Sequence, residues 1–86
     1  MITGKDDPVL WALLIEELSE AKEHIENLAN QMASNKAIDP QDFEVQIAHI
    51  YAHLNRIWNS RDATTEIDDE SWEAFSSFPT DIKPVG

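Results

Sequence analysis

Trp11, Leu14, Leu18, Ala21, Ile25, Leu28 and Met32 follow one another at alternating spacings of three and four residues. An α-helix turns once in about 3.6 residues, so these side chains line one continuous stripe. The pattern is a coiled-coil seam with Trp11 at heptad position a and Leu14 at d. Phe43, Ile47, Ile50, Leu54 and Ile57 repeat it until Arg61. Two such stripes joined by a short polar link restrict the chain to an all-α helical hairpin.

Both stripes open on the same signal, DDP at 6–8 and IDP at 38–40. Asp7 and Asp39 are placed as N-caps, with Pro8 and Pro40 at the first helical position, where a missing N–H costs nothing. Ile38 and Phe43 have the spacing of a hydrophobic staple. The pattern predicts helices at about 8–33 and 40–61. The intervening SNKAI is short enough to force them antiparallel.

In a hairpin closed through that link, facing residues have numbers that add to a constant. Met32 with Phe43, Leu28 with Ile47, Ile25 with Ile50, Ala21 with Leu54 and Leu18 with Ile57 all add to 75. Each layer pairs an a position with a d position, as antiparallel packing requires. The same register sets Ile15 near Trp58 and Lys22 near Tyr51 on one flank. On the other it sets Glu17 near Ser60, His24 near His53 and Gln31 near Gln46. Leu10 and Leu13 widen the apolar surface around Trp11 and Ile15 beyond what one seam covers.

Two helices bury only one stripe each, so the excess requires a cover. One candidate is a second copy, giving a homodimeric four-helix bundle. In outline this is similar to the Rop-type plasmid regulators, in architecture only. The other is the chain's own C-terminal segment. Residues 1–61 carry ten acids and five bases, net −5, whereas 62–86 carry seven acids and one base, net −6. A hairpin body at 1–61 is therefore followed by an acidic tail at 62–86.

The tail holds DDESWEAFSSFPTD, with Trp72, Phe75 and Phe78 among the acids. Asp68, Asp69 and Glu70 suit a first helical turn and Pro79 a stop, which predicts a short helix at about 68–77. TDIKPVG should be extended and mobile. Burial of the rings and the entropy of ordering the segment oppose each other with similar size. The tail is expected to dock on its own hairpin, to order in a dimer, or to fold into a groove on a partner with a basic rim.

A net charge of −11 argues against direct contact with nucleic acid or an anionic membrane, since phosphate binding needs clustered Lys and Arg. With no Cys there is no thiolate metal site, and a cytoplasmic setting is the default expectation. MITGKDD lacks the basic flank of a signal peptide, and VLWALLI at 9–15 is shorter than the roughly 20 apolar residues of a membrane span.

His49 and His53 stand four apart on one helix and the register brings His24 toward His53. Three imidazoles are zinc or nickel ligands in kind. Against a metal site, His49 falls at a solvent-facing c position, no HExxH order occurs, and no buried carboxylate is evident to orient the rings. The expectation is therefore no metal and no cofactor, with a weak pH response from His24 and His53. Glu16, Glu17, Glu20, Glu23 and Glu26 spread over the b, c, f and g positions, the pattern of a solvated surface, with Lys22 four residues before Glu26. No nucleophilic triad or phosphate loop is recognisable, so the chain is read as a non-enzyme. Asn55, Arg56, Asn59 and Arg61 form a polar edge beside Trp58, read either as a solvated helix end or as a contact patch.

These features predict a small interaction or accessory protein whose partner is another protein, a basic one being the complementary class, or a second copy. Leu10, Ile15, Tyr51, Trp58, Trp72, Phe75 and Phe78 are the candidate contact residues. The competing reading is an acidic mimic of nucleic acid that occupies a basic site.

Overall fold

A computed structural model of the chain describes residues 2–63 and 67–86; positions 64–66, in the link between body and tail, lie outside them. The described residues form three helices, α1 (Pro8–Asn35), α2 (Pro40–Asn59) and α3 (Asp69–Phe75). The chain folds as an antiparallel α1–α2 hairpin with α3 packed on α2. Its longest dimension of 45 Å matches α1, whose 28 residues span about 42 Å at the helical rise. No helix among the described residues is long and apolar enough to cross a membrane.

The caps follow the sequence. The Asp7 carboxylate accepts from the Leu10 N–H at 3.0 Å, and Asp39 accepts from the Gln41 N–H at 2.8 Å. Asp68 opens α3 by accepting from the Ser71 N–H at 2.8 Å. That bond and a second from the Ser71 side chain hold its carboxyl below the ordinary carboxylate range. The far ends are where expectation and structure differ. Helix α1 continues to Asn35 because Lys36, at φ 58°, takes the left-handed turn and returns its N–H to the Met32 carbonyl at 3.0 Å. Helix α2 stops at Asn59, two residues short of expectation. The Ser60 hydroxyl bonds back to the Arg56 carbonyl, and Arg61 Nη1 donates to the Trp58 carbonyl at 2.6 Å.

The expected axial register is present. Gln46 Nε2 donates to Gln31 Oε1 at 2.9 Å and the His24 and His53 rings are 5.2 Å apart, the two flank pairings that the register expected. The expected a/d seam, in contrast, is corrected by the structure. Leu10, Glu17, Leu14, Ala21 and Leu28 of α1 are buried, with Ile50 and His53 of α2 and its C-cap Ser60. In heptad terms the helices meet along d and g, each rolled away from a. Trp11, Leu18, Ile25 and Met32, the a positions of α1, and Leu54 of α2 are exposed. Phe43, expected to face Met32, is exposed as well. The roll exchanges apolar contacts for an ion-paired interior, and among the described residues no large side chain is completely buried.

The tail runs across α2, and Trp72 at its start lines a hollow with Leu13, Glu16, Glu17 and Glu20 of α1. Asn55 Nδ2 donates to the Ser76 carbonyl at 2.9 Å, and Asn59 Nδ2 donates to those of Phe75 and Ser77, each at 2.8 Å. These carbonyls sit at the C-terminus of α3, where no intrahelical partner exists. The α2 carboxamides thus satisfy the end of another helix, and NRIWNSR is the dock for the chain's own tail. On one side of the crossing Trp72 stacks on Arg56, whose guanidinium carbon is 4.3 Å from the ring centre. On the other side Phe78 meets Tyr51 edge-on at 5.0 Å, and the Trp58 indole N–H donates to Asp81 at 2.8 Å.

Candidate functional site

The rolled seam creates two unlike surfaces, beginning with its polar side. Glu17, 7% exposed, receives Arg56 Nε at 3.1 Å on one oxygen and Arg56 Nη2 at 3.3 Å on the other. His53 Nδ1 stands 2.6 Å from Glu17 Oε2. Two lone pairs do not approach so closely without a proton between them, so the contact assigns the Nδ1 proton, donated to Glu17. The Arg56 Nη2 contact with the same nitrogen, at 3.0 Å, is between two N–H groups held by one carboxylate. Glu17 was expected on a solvated surface. It is instead the carboxylate that draws Arg56 and His53 into the interior, because a buried charge is tolerated when paired and hydrogen-bonded.

Above this network the three imidazoles are gathered. The His24–His49, His49–His53 and His24–His53 ring centres lie 4.3, 4.9 and 5.2 Å apart. One ring nitrogen from each lies within 4.8 Å of the other two. Burial gradient runs inward: His49 is exposed, His24 half-buried and His53 3% exposed. Partial desolvation, then the charges of His24, His53 and Arg56, hold the His49 pKa below the ordinary histidine value. The solvent-facing position expected for His49 is observed, but the supposed lack of an orienting carboxylate is overturned by Glu17.

The second surface is apolar. Leu18 is 52% exposed and Ile25 47%, and with Trp11, Ile15, Met32, Phe43, Tyr51 and Leu54 they occupy one side of the hairpin. Lys22, which pairs with Glu26 at 3.8 Å, stands among them. The chain exposes 6765 Å², whereas a compact monomer of 9.8 kDa is expected to expose about 5,200 Å². The surplus is twice the roughly 800 Å² that each partner contributes to an ordinary protein interface.

The residues expected to bind a partner divide between these surroundings. Leu10 is buried in the first turn of the α1 interface and is not a free contact residue. Ile15 is exposed on the apolar side. Tyr51, Trp58, Trp72, Phe75 and Phe78 are engaged in the tail crossing, although Trp72 and Phe78 keep exposed edges. The tail does not cover Ile15, which the sequence had placed beneath it. Glu17, Asn55 and Asn59 were missed as organising residues. The signal for Glu17 was its place in the g series Leu10, Glu17, His24 and Gln31, itself an unbroken heptad repeat. Comparison of the chain with protein-family models, with curated proteins and with solved structures finds no match.

Proposed function

We propose that the chain is a non-enzymatic interaction protein whose apolar side docks a second copy, giving a four-helix bundle with an acidic exterior that receives a further protein. The observation that carries this reading is the roll of the seam. A monomer that buries Glu17, His53 and Arg56 while leaving Leu18, Ile25 and Met32 in water has its interior where polar groups are paired and its apolar stripe where they are not. Each helix of a four-helix bundle contacts two neighbours and needs more than one apolar seam. The d/g seam serves the hairpin, and the a/e stripe of Ile15, Leu18, Ile25 and Leu54 is free for the second pairing.

The docked tail adds to this reading by binding the Asn55 and Asn59 side of α2; it reaches the apolar side at Tyr51, where Phe78 packs, and leaves Leu18, Ile25 and Leu54 exposed. Residues 67–86 carry five acids and one base, net −4, an acidic segment complementary to a basic protein. The paired substitution Leu18→Glu and Ile25→Glu tests the assignment. It is expected to yield a helical monomer with the tail contacts of Trp58 and Asn59 intact. Retention of the wild-type assembly by that variant would remove the apolar side as its interface.

A further inference from the structure

The histidine cluster is the part of the molecule that the interaction reading leaves unused. His53 is 3% exposed, its Nδ1 is committed to Glu17, and its Nε2 is buried with no hydrogen-bond partner among the described residues. Buried ring nitrogens are rarely left unmet. A carboxylate holding the Nδ1–H of a histidine fixes the tautomer that presents a bare Nε2 lone pair, which is how metal-binding histidines are oriented. One ring nitrogen of His53, one of His49, a helical turn before it, and one of His24, from the facing helix, lie within 4.8 Å of one another. We propose that His24, His49 and His53 form a binding site for one divalent transition ion of the zinc class, with Glu17 as the residue that orients His53.

The donor set decides the class of ion. Three neutral imidazoles suit zinc, cobalt, nickel or copper and offer nothing to calcium or magnesium, which take oxygen ligands. Nitrogens bound to one tetrahedral ion at about 2.0–2.1 Å are about 3.4 Å apart, so the rings must close from the observed spread. His49 is exposed and His24 half-buried, and rotation of these two side chains supplies the movement while His53 stays anchored. The Arg56 charge beside the site is offset by its bidentate pairing with Glu17. Glu20, 3.5 Å from His53 Nδ1, adds a further carboxylate nearby. The fourth position opens toward the solvent that reaches His49. Because His24 belongs to α1 and the other two ligands to α2, the ion ties the helices together and stabilises the fold by binding it preferentially.

The test uses the full chain without a histidine tag, titrated with Co²⁺ and Zn²⁺ at neutral pH. Saturable uptake of one ion per chain is expected, with a visible cobalt band of tetrahedral or five-coordinate intensity and a rise in melting temperature on adding zinc. His49→Ala, at an exposed position outside the buried network, is expected to keep the helical content and melting temperature of the metal-free protein and to lose the band and the zinc-induced rise. Glu17→Gln is expected to weaken uptake by about 10- to 100-fold, and unchanged affinity in a folded Glu17→Gln chain would remove its orienting role. Absence of one-to-one uptake by the wild-type chain, or uptake identical in His49→Ala, would overturn the site.

Discussion

Glu17 decides more about this interior than any single apolar side chain. Its carboxylate holds Arg56 through both oxygens and His53 through one. Glu17→Ala leaves a guanidinium and an imidazole buried without that partner, and removal of one member of a buried pair costs about 3–5 kcal/mol. Denaturant unfolding should show a loss of that size. Replacing both members of the ion pair, as Glu17→Leu with Arg56→Met, should recover part of it, because no unpaired charge remains although His53 loses its acceptor and the tail loses Arg56. Equal losses in the single and double variants would contradict the pairing. A second residue gives a pH test. The hydrogen bond from the Trp58 indole, with Arg61 nearby, holds the Asp81 carboxyl below its ordinary value of 3.8. Its contribution to docking is therefore complete above that ordinary value and is lost as pH falls through the lower folded one. The Trp58 indole N–H resonance should shift in acid with a midpoint below 3.8; a midpoint at or above that value would separate Asp81 from Trp58.

At the scale of elements, the tail is a third helix attached by the side chains of the second. Asn55, Asn59 and Arg56 reach its carbonyls and the Ser76 hydroxyl, and Trp72 covers Arg56. Ending the chain after Arg61 should lower the stability of the remaining hairpin by about 1–3 kcal/mol, the net worth of a few hydrogen bonds and a stacked ring. Unchanged unfolding in the shortened chain would contradict docking in cis. The helix starts were legible in the sequence because an Asp followed by Pro is a local signal, complete within three residues. The helix ends were not, since they depend on the left-handed turn at Lys36 and on the Ser60 and Arg61 side chains folding back onto α2. The dock was legible as a polar edge or contact patch, but not as the receptor of the chain's own tail. Its ligands are backbone carbonyls of Phe75, Ser76 and Ser77, and carbonyls carry no sequence signature.

In the whole molecule, axial register and helical roll have different origins. The register follows from loop length and periodicity, and the pairings of Gln31 with Gln46 and of His24 with His53 were legible from the chain alone. The roll depends on whether the a/d or the d/g repeat is buried, and both are unbroken on α1. Apolar character favours the first. The Glu17, Arg56 and His53 network favours the second, and periodicity does not weigh a buried ion pair against an apolar seam. The proposed self-association through the a/e stripe would bring together two chains of net charge −11. Salt screens that repulsion, so the assembly should tighten as ionic strength rises. An acidic mimic bound to a basic protein would respond in the opposite sense, which separates the two readings in a single salt series. Sedimentation equilibrium of the unmodified full chain, from micromolar to near-millimolar concentration, tests the central claim most directly. The mass should rise from that of the 9.8 kDa chain to twice that value and no further; a monomeric mass at every concentration would contradict it.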